Sequence, residues 1–170
     1  RNMFGDEVVA NKEGIGIRDL TLLFTDLKGS TAMYDRIGDL RAFSLVQQHF
    51  VHLTRAITMH QGATVKTIGD AVMAAFTHPV DAVRAALAML TEIEEWNQQQ
   101  GSREIILKIG IHRGSCIAVT LNGRLDYFGQ SVNIAARVQG LADGDELCVT
   151  DDVYEFAGVS ELLAGFDIAA

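Results

Sequence analysis

The sequence predicts an α+β domain built on a mixed or antiparallel sheet with helices packed on one side. Three observations point there. Short, β-rich apolar runs are interleaved with long stretches of helical periodicity across the 170 residues. Two of the connections between runs are too short to be crossovers, which disfavours a doubly wound parallel sheet. Residues 63–76 also divide into two strand-like halves joined tightly around Gly69-Asp70.

The first stretch, Arg1 to Arg18, carries Gly5, Gly14 and Gly16 without a strong period and reads as an N-terminal linker, leaving residues 19–170 as the domain. Leu20–Phe24 is a short apolar run typical of a strand buried on both faces. It stops at Thr25–Thr31, after which helical periodicity begins. Between Arg41 and His60, the residues Phe43, Val46, Phe50, Leu53 and Ile57 mark one apolar face of a long helix, and Gly62 ends it. The runs ATVKTI and AVMAAF follow as strands. Pro79 and Asp81 open a second long helix lined by Val83, Ala86, Leu87, Leu90 and Ile93, and Gly101 breaks it. Residues 104–119 suit one long strand or two short ones. A strand at Leu125–Phe128, a helix over Ser131–Leu141 and a strand over Leu147–Thr150 complete the pattern, without internal repeats or low-complexity tracts.

Composition sets bounds on function. The chain is 48% hydrophobic and 21% charged, enough for a core that needs no disulfide or metal staple. Cys116 and Cys148 sit in apolar runs without zinc spacing, as expected of small buried residues in a reducing, cytoplasmic setting. A formal charge of -8 argues against non-specific nucleic-acid binding, yet permits a nucleotide whose bound metals reverse the local field. No apolar run approaches the roughly 20 residues that span a bilayer. The chain opens on Arg1 rather than Met, so a regulatory domain or anchor is expected outside it.

Candidate chemistry clusters in three segments. Asp26 stands just past a buried strand and is followed by Lys28, Gly29, Ser30, Thr31 and a helix, a pattern suited to phosphate and metal. The plainer alternative is that Thr25 or Asp26 caps that helix. Asp70 sits at the tip of a tight turn, which is also ordinary hairpin chemistry. Two such carboxylates, brought together by a compact sheet, can hold a pair of Mg²⁺ ions for an in-line phosphoryl displacement. Lys66, four residues before Asp70, is free to reach a different partner. The third segment places Asn133 and Arg137 side by side, i and i+4, on a short helix after Asp126. Arginine there can meet charge on a phosphorus-centred transition state, or simply pair with Asp143 or Asp145. His49 and His52, three apart on the long helix, read as an exposed polar face or a metal pair. His112 and Cys116 read as core or interface, and Trp96 as a packing residue.

The segments LLFTDLKGST, VKTIGDAVMAAF and LDYFGQSVNIAARV resemble, in order and spacing, the signature of the class III adenylyl and guanylyl cyclases. The similarity runs from about Arg18 to Val153. It implies a ferredoxin-like sandwich and an adenylate cyclase converting ATP to 3′,5′-cyclic AMP and pyrophosphate. By the same resemblance, Asp26, Asp70 and the main-chain carbonyl of Leu27 hold two divalent ions, Mg²⁺ or Mn²⁺. From their own place between Asp26 and a helix start, Lys28, Gly29, Ser30 and Thr31 are expected to face the substrate's phosphates. Lys66 and Asp126 recognise the base, and Asn133 and Arg137 serve the transition state. A lysine donating to adenine N1 beside an aspartate accepting from the 6-amino group favours ATP over GTP, because guanine would leave the aspartate facing lone pairs.

The resemblance further implies a homodimer with shared sites, Asp26 and Asp70 from one protomer and the other four side chains from its partner. Departures from the family pattern are a shortened connection between Gly114 and Asp126, Phe128 where tryptophan is common, and an end at Ala170 that implies missing C-terminal strands. The competing readings are a non-catalytic cyclase-homology module, a guanylate cyclase, and a diguanylate cyclase or polymerase-like domain.

Overall fold

The central strand of the sheet is β1 (Ile15–Leu27), in a computed structural model that describes residues 14–169. Along its second half both faces are covered. Leu23 and Leu27 point into the larger core, and Leu20, Leu22 and Phe24 into a smaller one on the opposite face. That two-sided burial is why the sequence reads there as a continuous apolar run. β1 continues through α1 (Ser30–Ile37) and α2 (Asp39–Met59) to the hairpin of β2 (Ala63–Ile68) and β3 (Ala71–Phe76). Next come α3 (Pro79–Gln100), the long β4 (Leu107–Leu121), β5 (Arg124–Phe128), α4 (Gln130–Leu141) and β6 (Glu146–Val149), then two short helices, α5 (Asp151–Tyr154) and α6 (Val159–Leu163).

The strand order is β2-β3-β1-β4-β5, with β6 parallel to β4 and the other pairings antiparallel. The first four strands, with the helices α2 and α3 between them, make the βαββαβ unit of a ferredoxin-like sandwich. β5 and β6 share one edge of β4: residues 117–121 pair with β5 and residues 108–111 with β6.

The expected helices on one side describe α2 and α3, but α4 lies on the other face. Its seat is built from glycine. A Cβ at Gly110 would stand 2.2 Å from the Gln139 backbone nitrogen, and one at Gly114 would stand 2.4 Å from the Ser131 hydroxyl. Only bare backbone lets the helix approach β4 this closely. We expect Gly110→Ala to lift α4 off the sheet. Thermal melts should show about 1–3 kcal/mol of destabilisation.

Several details depart from the expectations. Residues 15–18 belong to β1 rather than to a linker, because Ile15 and Ile17 pair with Val119 and Ile117 of β4; residues 1–13 lie outside those described. Of the two alternatives for residues 104–119, the structure takes the single strand, which starts at Leu107 and runs on to Leu121. Phe43 is 57% exposed, since the buried stripe of α2 runs through Ala42, Leu45, Val46, His49, Leu53, Ala56 and Ile57. Gly62 is not the helix stop. Gln61 takes the left-handed turn (φ 68°), while Gly62 makes room for the Phe76 ring, which a Cβ would meet at 2.4 Å.

His49 is fully buried rather than part of an exposed polar face. Its Nδ1 bonds the Val46 carbonyl, and its Nε2 has no partner among the described residues. His52 packs instead against Trp96, ring centroids 5.1 Å apart. Burial drives the His49 pKa down from 6.5 to about 4. The sign of the linkage follows: the unfolded chain binds the proton first, so this contribution is intact above pH 6.5 and is lost as pH falls towards 4. The loss over that window is about 3 kcal/mol at most. His49→Leu should therefore flatten the decline of the denaturation midpoint between pH 7 and pH 4 relative to the unsubstituted protein.

Candidate active site

Two carboxylates meet at one end of the sheet. Asp26 is the penultimate residue of β1, and its Oδ1 accepts from the Leu27 amide at 2.8 Å. Asp70 follows Gly69, whose left-handed φ of 61° closes the β2–β3 turn. The antiparallel register pairs Thr25 with Val72, and the buried Thr25 hydroxyl accepts from the Val72 amide at 3.1 Å. These ties bring the Asp26 and Asp70 carboxyls within hydrogen-bonding reach of each other. Burial, and then the neighbouring Asp70 carboxyl, push the Asp26 pKa up. The helix-cap alternative fails for Thr25 and Asp26 alike: Gly29 (φ 69°) is the N-cap of α1, and no side chain caps it. Among the described residues, then, no side chain caps the start of α1 and its first turn carries no acidic residue, a setting that favours an anion.

Among the described residues no group of three or more His, Cys, Asp or Glu side chains could hold a metal. Two adjacent carboxylates and a main-chain carbonyl are nonetheless what a hard cation takes when water and substrate phosphates fill its remaining positions. The residues fit Mg²⁺ or Mn²⁺ bound together with a nucleotide. His49, buried in the core, is no part of any such site.

Lys66 and Asp126 come from the opposite edge strands β2 and β5, yet Lys66 Nζ lies 2.8 Å from Asp126 Oδ2. The sheet curls enough to bring them together. Both remain partly open to solvent, with side chains 41% and 31% exposed, so the donor and acceptor are accessible to a ligand. The Tyr127 amide donates to the other Asp126 oxygen at 2.8 Å and fixes the carboxylate's orientation.

Asn133 and Arg137 stand on the exposed side of α4. The surface-bridge alternative for Arg137 fails, because Asp143 pairs with Lys28 and Asp145 with Arg103. No hydrogen bond or ion pair among the described residues ties Asn133 or Arg137 to the Asp26–Asp70 pair. Lys28 Nζ sits 2.5 Å from Asp143 Oδ1 in the α4–β6 turn, with both side chains more than half exposed. Sequence reasoning also passed over Lys108, the cross-strand partner of Asp26. Only strand register reveals that neighbourhood, and register is not written in local periodicity.

The family model described as the adenylate and guanylate cyclase catalytic domain matches residues 15–164. An adenylate cyclase of Anabaena cylindrica is 30% identical over 151 residues, covering 80% of this chain and 30% of the relative. A putative adenylate cyclase 3 of Rhizobium meliloti is 29% identical over 146 residues, covering 85% of this chain and 24% of its own length. The chain therefore spans less than a third of either relative. Among solved structures, the adenylyl cyclase CyaB of P. aeruginosa superposes with a TM-score of 0.77 at 21% identity, covering 88% of this chain and 83% of that one. The guanylyl cyclase Cya2 gives 0.72 at 24% identity, covering 84% and 79%. Both share the fold described above. Among the described residues, no helix is long and apolar enough to cross a membrane.

Proposed function

The chain belongs to the adenylate and guanylate cyclase catalytic domain family, and on that premise we propose that it is the catalytic unit of an adenylate cyclase. The reaction is attack of the ribose 3′-oxygen on the α-phosphorus of ATP, closing the cyclic ester and releasing pyrophosphate. The observation that carries the choice of ATP is the Lys66–Asp126 pair, a donor beside an acceptor at 2.8 Å. Adenine offers N1 to the lysine and its 6-amino group to the aspartate. Guanine presents an oxygen where that amino group stands and leaves the carboxylate unmatched.

The nucleophile belongs to the substrate, so the protein's task is positioning and charge stabilisation. Asp26, Asp70 and the Leu27 carbonyl would hold two divalent ions, which would supply Lewis acidity for the 3′-hydroxyl and charge neutralisation for the triphosphate. The amides of Gly29, Ser30 and Thr31 receive phosphate oxygens. Asn133 orients the ribose, and Arg137 meets the charge that develops at the α-phosphate. As the resemblance to the cyclase family implies, the complete site is assigned to a two-fold homodimer, Asp26 and Asp70 coming from one protomer and Lys66, Asp126, Asn133 and Arg137 from its partner.

Purified protein incubated with ATP or GTP, and with Mg²⁺ or Mn²⁺, tests the reading by product identification. Cyclic AMP and pyrophosphate in equal amounts are expected. Cyclic GMP in excess of cyclic AMP would make it a guanylate cyclase, and no cyclic nucleotide under either metal would make it a binding module. Asp126→Ala should lower kcat/KM for ATP by roughly ten- to a hundredfold while leaving GTP little changed, as expected for loss of a recognition contact to the base.

A further inference from the structure

Lys108 occupies a position that the proposed mechanism leaves unused. In the antiparallel β1–β4 ladder it is the direct partner of Asp26, which puts the two side chains on one face of the sheet about 5 Å apart at their Cβ atoms. In the parallel β4–β6 ladder its partner is Glu146. Asp143, whose amide donates to Glu146 and whose carboxylate takes Lys28, lies within electrostatic reach of Lys108 as well. The charges along this end of the sheet therefore alternate: Asp70 with Asp26, then Lys108, then Asp143 with Glu146, then Lys28. Lys108 is the cation between two acidic groups, and it is the one beside the pair that faces the ligand.

We propose that Lys108 is a positioning residue for the Asp26–Asp70 pair, balancing the two carboxylates before a divalent ion arrives and weakening the hold on that ion afterwards. This rests on the reading of Asp26 and Asp70 as metal-holding residues. Two like charges brought together repel, and an ammonium on the same face offsets that repulsion in the metal-free protein. With a divalent ion held by these carboxylates, the same ammonium would face a like charge. The expected consequence is moderate metal affinity, which suits an enzyme that must release pyrophosphate with its ion at every turnover. Its position between Asp26 and Asp143 also ties the metal end of β1 to the turn that follows α4.

The test compares Mn²⁺ binding to the metal-free protein, read from the electron paramagnetic resonance of free Mn²⁺, with thermal melts of the same samples. Lys108→Met should bind Mn²⁺ about five- to tenfold more tightly than the unsubstituted protein, the gain shrinking as salt is raised. It should also melt lower without metal and recover more on adding it. Lys108→Arg keeps the charge and should retain ordinary affinity. A residue that merely packs the strand would weaken binding when changed, so a tighter site is the decisive sign. Unchanged or weaker Mn²⁺ binding by Lys108→Met, or tightening by Lys108→Arg to match it, overturns the proposal. Asp26→Asn is the control. If it loses Mn²⁺ while Lys108→Met binds as before, only the role of Lys108 falls. If it binds Mn²⁺ as well as the unsubstituted protein, the metal reading falls and takes this proposal with it.

Discussion

Asp26→Asn is expected to leave the fold intact and to reduce cyclic AMP formation by about three orders of magnitude, equivalent to about 4 kcal/mol of lost transition-state stabilisation. The amide is nearly isosteric with the carboxyl. It keeps an oxygen for the Leu27 amide that now donates at 2.8 Å, so the end of β1 should hold its course. What it removes is the charge. Asp26 and Asp70 press two carboxyls together in a partly buried place, an arrangement that costs stability unless a cation resolves it. The substitution relieves that conflict. Thermal melts without metal should therefore show equal or higher stability in Asp26→Asn, while the stabilisation that Mn²⁺ and ATP give the unsubstituted protein disappears. Inactivity with a gain in metal-free stability is a signature that simple unfolding cannot mimic. A variant that still cyclises ATP within tenfold of the unsubstituted rate would remove Asp26 from the mechanism.

The sequence made some parts of this arrangement legible because they are local. The β2–β3 hairpin around Gly69-Asp70 needs only strand propensity and a turn residue that accepts φ of 61°. The bounds of α3 follow from Pro79 at its first position and Gly101 at its C-cap. Other parts depend on contacts between distant segments. β1 reaches back to Ile15 because β4 offers it a partner as far as Val119, which no period within residues 14–18 announces. Glycines 110 and 114 look like weak points of a strand until α4 is seen lying on them. His49 satisfied the helical period as readily as a leucine would, and nothing local said that the polar ring faced inward.

The candidate site divides along the same line. Asp26 and Asp70 were recognisable as carboxylates at strand ends. The partners of long, flexible side chains were not. Lys28 sits in a phosphate-like context by sequence and takes Asp143, 115 residues on, in the fold. Lys66 reaches across from one edge strand to the other. A lysine stem spans many possible neighbours, so its partner is set by tertiary geometry rather than by spacing.

Arg137→Ala should be as damaging as the loss of Asp26, by about three orders of magnitude in kcat, with KM for ATP changed far less. The side chain is exposed on α4 and makes no ion pair among the described residues, so its removal disturbs no packing and should leave the melting temperature alone. Such a residue contributes where charge accumulates in the reaction rather than where substrate first binds. Mixing supplies the sharper version of this experiment. In a homodimer with shared sites, a heterodimer of Asp26→Asn and Arg137→Ala protomers would pair both lesions in one site and leave the other with an intact acidic group facing an intact Arg137. Two nearly inactive proteins should thus recover, on mixing, up to about a quarter of the unsubstituted activity: random exchange makes half the dimers mixed, each with one good site of two. Sites contained within single chains give no recovery at any ratio. If native mass spectrometry shows heterodimers and activity stays at the level of the separate variants, each chain carries its own site and the division of labour proposed for the dimer is wrong.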